Sequence, residues 1–303
     1  MYIEQGRKGK LGMWKYLFPP LGFFGLMILN FLVSLLMGQD TETVMQNQIE
    51  TFGKPLFFLI AVAPFVVFLG ALFFWVKIVH QQSITSLTTS RKKIDWKRVF
   101  FMFGLMSLYI GITTYIGYIV SPDDYELNFK LQPFLILAIM AIILVPIQTS
   151  FEEYFFRGYL MQGLGIATKT KWIPFVITSV TFGLMHIANP EVSKLGPIIM
   201  VYYIGTGFFL AIMTLMDEGL ELALGFHAAN NLVTAMLVTS SWTAFQTDSL
   251  LLYTAEPEVN FEILFPVLII FPAFLFILTK KYKWSGWKDK LFGKIEPELL
   301  TEE

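Results

Sequence analysis

Cysteine is absent from the 303 residues, which excludes disulfides, thiolate metal sites and a cysteine nucleophile. Charge is scarce. Asp, Glu, Lys and Arg make up 15% of the chain, against roughly 25% in an ordinary soluble domain. No basic patch interleaved with aromatics points to nucleic acid, and a net charge of −1 says little about partners. The chain has no internal repeat, no low-complexity tract and no stretch that reads as a soluble domain. Histidine is rare too, with His80, His186 and His227 the only three.

Apolar residues dominate instead. Hydrophobic residues make up 55% and aromatics 17% of the chain, and the mean hydropathy is +0.61. That composition is all-α in expectation, a polytopic membrane helix bundle. A span needs about 20 predominantly apolar residues, and eight stretches qualify: 16–38, 55–79, 99–120, 131–151, 172–189, 195–216, 219–239 and 261–279. The apolar run from Tyr16 to Met37 follows four basic residues, as in a signal peptide. It exceeds the usual roughly 7–15 residues of such a core, and MGQD is no cleavage site. It is therefore read as an uncleaved first span.

Eight spans put both termini on one side. If that side is cytoplasmic, it receives every lysine and arginine except Lys54, Lys130 and Lys194, a strong positive-inside bias. An integral, multi-pass protein of the cytoplasmic membrane is expected, with the lipid bilayer as a partner. The basic stretch 81–98 reads as an amphipathic helix on the cytoplasmic surface or as a solvated loop. The organisation is then two spans and that basic segment over 1–94, a helical core over 95–240, and an outer loop, last span and basic tail with an acidic end over 241–303. Glu221 and Glu262, near span ends, read as interfacial.

The stretch Phe151–Leu160, FEEYFFRGYL, is the most unusual in the chain. Charges at membrane depth are expensive and rarely occur without a partner or a role. Glu153 and Arg157, four apart on a helix, can pair. Glu152 points about 100° away from Glu153 and lacks an evident cation, so it is a candidate base. Pro146 could kink the helix and aim this face into a cavity, or serve packing alone.

Two more polar islands follow. FGLMHIANP puts Phe182 and His186 on one helical face, with Asn189-Pro190 ending the helix. GFHAANN does the same for His227 and Asn231. With a turn near Ala167–Thr168, Glu152 and His186 fall at matching depths to within ~4–5 Å, and His227 lies ~13 Å beyond its own inner turn at 1.5 Å per residue. The three islands could share one pocket, approached from the cytoplasmic side. Glu152, with His186, could take a proton from water, and His227 and Asn231 could face an oxyanion.

Together, EExxxR, FxxxH and HxxxN in successive order resemble the CAAX protease and bacteriocin-processing (Abi) family, which includes the type II CAAX prenyl endopeptidases. The motifs stand here as Glu152 to Arg157, Phe182 to His186 and His227 to Asn231. The resemblance covers roughly residues 95–240. It implies an intramembrane endopeptidase acting on a membrane-associated peptide or protein. By the same resemblance, Glu152 and His186 would activate water, His227 and Asn231 would form the oxyanion site, and Glu153 and Arg157 would support the architecture. Two histidines and a glutamate could in principle hold zinc, but HExxH spacing is absent, so a cofactor-free glutamate mechanism is favoured over a metal. The alternatives are a transporter or a non-catalytic scaffold. Against transport, the chain shows no inverted repeat and no paired broken helices.

Overall fold

The computed structural model of the chain describes residues 1–36, 38 and 40–296. The expected acidic end beyond Glu296, and Met37 and Gln39 at the end of the first span, lie outside the described residues. The molecule is a helix bundle. A short turn over Ile3–Lys8 leads into α1 (Met13–Leu36), whose apolar side chains such as Leu21 and Phe18 are exposed, as a lipid-facing helix requires. Helix α2 (Thr41–Val62) starts at Asp40, whose carboxylate accepts from Thr43 N at 2.7 Å, the usual way of satisfying an orphan N–H. Gly53 takes φ 76°, ψ 159° inside α2 and Pro55 follows. Only glycine adopts such a backbone easily, so α2 bends at this point. Helix α3 (Pro64–Ile78) continues it.

The basic stretch 81–98 does not form a surface helix. Only α4 (Ile84–Thr88) is helical before α5 begins, and Leu87, Thr88 and Thr89 are buried. The cause is long-range charge pairing. Arg91 bridges Asp217 at 2.9 Å and Glu221 at 3.2 Å, and Arg98 reaches Asp217 at 2.5 Å. These contacts fold the segment onto the bundle. They also overturn the interfacial reading of Glu221, which is fully buried.

Helix α5 (Trp96–Val120) returns across the bundle, and β1 (Tyr125–Leu127) follows. Next comes a rod of 38 residues from Leu131 to Thr168. It consists of α6 (Leu131–Glu153), a π-helical stretch (Tyr154–Leu160) and α7 (Met161–Thr168). Lys169, in the left-handed region with φ 57°, ends it. Helices α8 (Trp172–Leu184), α9 (Pro190–Leu195), α10 (Ile199–Asp217) and α11 (Glu221–Leu237) complete the core. Strands β2 (Val238–Ser240) and β3 (Leu251–Tyr253) join β1 in a small sheet of order β1-β3-β2. Helices α12 (Phe271–Tyr282) and α13 (Trp287–Phe292) close the chain.

Two glycines set the close approaches of the core. A Cβ on Gly225 of α11 would lie 2.1 Å from Val99 O on α5, and one on Gly207 of α10 would lie 2.3 Å from Ser179 O on α8. No other residue lets these helix pairs come so near.

Among the described residues, six helical segments are long and apolar enough to cross a membrane: Met13–Ser34, Thr41–Ile78, Trp96–Val120, Leu131–Thr168, Ile199–Asp217 and Phe261–Tyr282. The chain is an integral membrane protein by this measure. The two other expected spans are helices, but shorter than a bilayer needs. Helix α8 has 13 residues and α11 has 17. Helix α11 is enclosed by other helices, so it need not match lipid.

Candidate active site

The site is built where the long rod changes pitch. At Glu153 the α-helix gives way to the π-helix Tyr154–Leu160. π-Turns are rare and concentrate at functional sites. No pattern in the sequence announces this one. Glu153 and Arg157 pair across its start, Nη1 to Oε1 at 3.1 Å, and both side chains are fully buried. The Arg157 Nη2 donates to Gly207 O at 3.1 Å, and its guanidinium lies 4.1 Å from the centre of the Phe182 ring. The same ring lies 5.1 Å from His186 and 5.7 Å from His227. Phe182 is therefore the apolar hub around which the three polar islands gather.

His227 faces both glutamates. Its Nδ1 sits 2.8 Å from Glu153 Oε1, and its Nε2 sits 3.7 Å from Glu152 Oε2. An ionised carboxylate only accepts, so Nδ1 carries a proton and Nε2 is turned toward Glu152. Sequence reasoning pairs Glu153 with Arg157 alone and misses its second partner. His227 stands 74 positions away, and only the fold brings the two together.

Glu152 has a partner that the sequence reading also misses. Gln148, one turn earlier on α6, donates through Nε2 to Glu152 Oε1. Its Oε1 accepts from Asn231 Nδ2 at 3.3 Å, and Asn230 Nδ2 donates to Asn231 Oδ1 at 3.0 Å. A relay of amides thus runs from α11 to the carboxylate. The i, i+4 spacing of Gln148 and Glu152 in an apolar stretch is the available signal. The other carboxylate oxygen, Glu152 Oε2, is buried and has no hydrogen-bond partner.

His186 is not on a helix. Helix α8 ends at Leu184 and His186 stands in the turn after it. Its Nδ1 lies 2.9 Å from Phe182 O, four residues back, and its ring stacks on Tyr203 at 4.5 Å. A carbonyl oxygen accepts only, so Nδ1 holds the proton and Nε2 of the neutral ring is left to accept. Asn189 starts α9 rather than merely ending α8, and its amide donates to Tyr203 OH at 3.3 Å.

A cavity of about 720 Å³ meets this cluster. Gln148, Glu152, His186, Asn230 and Asn231 line it, together with Tyr125, Thr239, Trp242 and Tyr253 from the sheet and its connecting loop. None of its lining residues comes from the basic stretches 1–15, 77–98, 157–171 or 280–294. The basic end, expected to be cytoplasmic, contributes nothing to this lining. That end is covered: Tyr2, 1% exposed, sends its hydroxyl to Leu87 O at 2.7 Å and to Arg157 O at 3.1 Å. Among the described residues no group of three or more His, Asp or Glu side chains is placed to hold a metal ion.

A membrane-embedded bundle with two adjacent glutamates, an arginine and two histidines brought together from separate segments defines a recognisable class. Residues 131–233, which contain every one of those side chains, match the family described as type II CAAX prenyl endopeptidase Rce1-like. The uncharacterized protein YyaK of Bacillus subtilis (strain 168) is 32% identical over 246 residues, which cover 77% of this chain and 80% of that protein. The chain belongs to the Rce1-like CAAX protease family, a family of membrane peptidases. No solved structure matches it.

Proposed function

We propose that this protein is an intramembrane endopeptidase in which Glu152 activates the attacking water. The observation that carries the reading is the free Oε2 of Glu152, buried beside His227 Nε2 at 3.7 Å in a side chain that lines the cavity. A water between Glu152 and the neutral Nε2 of His186 gives up a proton to the carboxylate, and its oxygen bonds to the peptide carbonyl carbon. The carbonyl oxygen takes the electron pair and becomes an oxyanion. The second amide hydrogen of Asn231 and a proton on His227 Nε2 stabilise it. The C–N bond then breaks, and Glu152 returns its proton to the leaving amine.

Glu153 and Arg157 hold His227 in place. No step needs a metal, so a series of chelators on the purified protein leaves activity unchanged; loss restored by zinc would replace this mechanism with a metal-dependent one.

Glu152→Gln keeps size and hydrogen bonding but removes the base. Cleavage of a membrane-presented peptide falls by about 10²–10⁴-fold, the scale of general-base catalysis, with expression and thermal unfolding unchanged. Retained cleavage in Glu152→Gln sinks the mechanism. Combined with the positive-inside distribution of lysine and arginine, the position of the cavity favours a substrate reaching the site from the face opposite the cytoplasm.

A further inference from the structure

The cavity contains a second carboxylate that the proposed chemistry does not use. Glu191, on α9, lines the same cavity as Glu152. Its Oε1 accepts from Ala244 N at 2.9 Å, which locks α9 to the loop after β2. Its Oε2 is buried and has no partner. The nearest cation in sequence, Lys194 of the same short helix, is paired with Glu42 at 2.9 Å. Ser240, from β2, also lines the cavity, and its Oγ is buried without a partner too. Among the described residues, the charged side chains that line the cavity are therefore Glu152 and Glu191, both negative, with no lysine or arginine.

A buried acceptor left without a donor is destabilising, and more so when it is charged. Burial pushes the Glu191 carboxyl above its usual range, while the amides of Ala244 and of Glu191 itself pull the other way. A group so placed gains from an arriving cation. The walls suit one as well, since Trp242, Tyr203 and Tyr253 present aromatic rings to the same space, and aromatic faces attract ammonium and guanidinium groups. A metal ion is a poorer match, because among the described residues Glu191 belongs to no group of three or more His, Asp or Glu side chains placed to hold one.

We propose that the sheet end of the cavity is a subsite for a lysine or arginine side chain of the substrate, with Glu191 as its counter-ion. This rests on the peptidase reading and adds the substrate's charge to it. The reacting bond lies at Glu152, and the cationic residue lies on the stretch of substrate that meets Glu191. A peptide that presents its free terminal carboxylate to this end meets a like charge and is disfavoured.

The test uses the full-length protein in bilayers of phosphatidylglycerol, which carries no ammonium group that could occupy the subsite. Internally quenched apolar peptides are compared that differ only in having Lys, Ala or Glu at one scanned position. The wild type prefers Lys over Ala by about tenfold in kcat/KM at one position, equivalent to ~1.4 kcal/mol. Glu191→Gln, which still accepts from Ala244, cleaves the Lys and Ala peptides equally well, and Glu191→Lys reverses the preference toward Glu. An unchanged Lys preference in Glu191→Gln overturns the subsite. Binding of the same peptides to Glu152→Gln protein, followed by fluorescence anisotropy, separates the subsite from the peptidase reading. Tighter binding of the Lys peptide that disappears in Glu152→Gln/Glu191→Gln supports the subsite even where the wild type cleaves nothing, an outcome that rejects the peptidase alone. Cleavage by the wild type without any Lys preference in either assay rejects the subsite alone.

Discussion

At the scale of single residues, the two adjacent glutamates differ in what surrounds them, and so in what their loss would do. Glu153 is enclosed by Arg157 and His227, with no exposed surface. Removing one partner of a buried ion pair leaves the other charge unpaired, at roughly 3–5 kcal/mol. Glu153→Gln is therefore expected to lower the unfolding temperature markedly in detergent, whereas Glu152→Gln leaves it unchanged. Equal unfolding temperatures for the two variants would refute the division of roles. Gln148 belongs with Glu152. Gln148→Leu cuts the amide relay from Asn231 and frees the carboxylate to turn, so the rate of peptide cleavage falls about 10–100-fold, on the scale of losing a ligand-orienting partner. Asn230→Ala, one step further out, has a smaller effect on the same assay. The ordering Gln148 before Asn230 is the check, and a reversed order would show that the relay does not carry the orientation. The sequence reveals Glu152, Glu153 and Arg157 because charge in an apolar run stands out. Gln148 carries no charge, so its i, i+4 spacing to Glu152 is the only local mark that sets it apart from an ordinary polar residue facing a neighbouring helix.

At the scale of elements, the expected helices mostly exist, and the deviations have local causes. Periodicity and length reveal a long apolar helix such as α5 or α6. They do not reveal a π-turn, which depends on how Arg157, Phe182 and Gly207 pack against the rod. They also overstate α8, because apolar residues continue past Leu184 into a turn where His186 stacks on Tyr203. The basic stretch after α3 departs from its expected form for a similar reason. Its arginines find Asp217 and Glu221 more than a hundred positions away, and such pairing leaves no trace in local sequence. Helix α11 carries His227 only two positions after Gly225, the point of closest approach to α5. Gly225→Ala puts a methyl 2.1 Å from Val99 O, so α11 must move and take His227 with it. Both thermal stability and cleavage rate are expected to fall, as overpacking alone typically costs about 1–3 kcal/mol. Gly111→Ala on α5 meets nothing within 4 Å and is the matched control. A stable, active Gly225→Ala would mean that the helices can separate without disturbing the site.

At the scale of the molecule, one end is basic and closed and the other carries the sheet, whose residues Tyr125, Thr239 and Tyr253 line the cavity. The N-terminal turn, α4 and the α10–α11 connection are bound together by Tyr2, Arg91 and Arg98 at the closed end. Lysine and arginine are costly to translocate, so the orientation we propose has this end on the cytoplasmic side and the sheet on the opposite side. The absence of native cysteine allows a direct test. Ser285, exposed between α12 and α13, and Glu258, exposed on the long connection after β3, can each be replaced by a single cysteine in an otherwise thiol-free chain. A membrane-impermeant maleimide applied to intact cells labels Glu258→Cys, and labels Ser285→Cys only after permeabilisation. The opposite pattern would turn the molecule over and put the sheet on the cytosolic side. Labelling of both in intact cells would place them on one side, so that α12 with the preceding turn from Phe261 does not act as a span as its length and hydropathy imply. Glu191 gives this orientation a consequence, because the peptide segment it selects must then reach the site from outside the cytoplasm. A lysine-dependent substrate cleaved only when added to the cytoplasmic face of inverted vesicles would contradict the orientation while leaving the subsite intact.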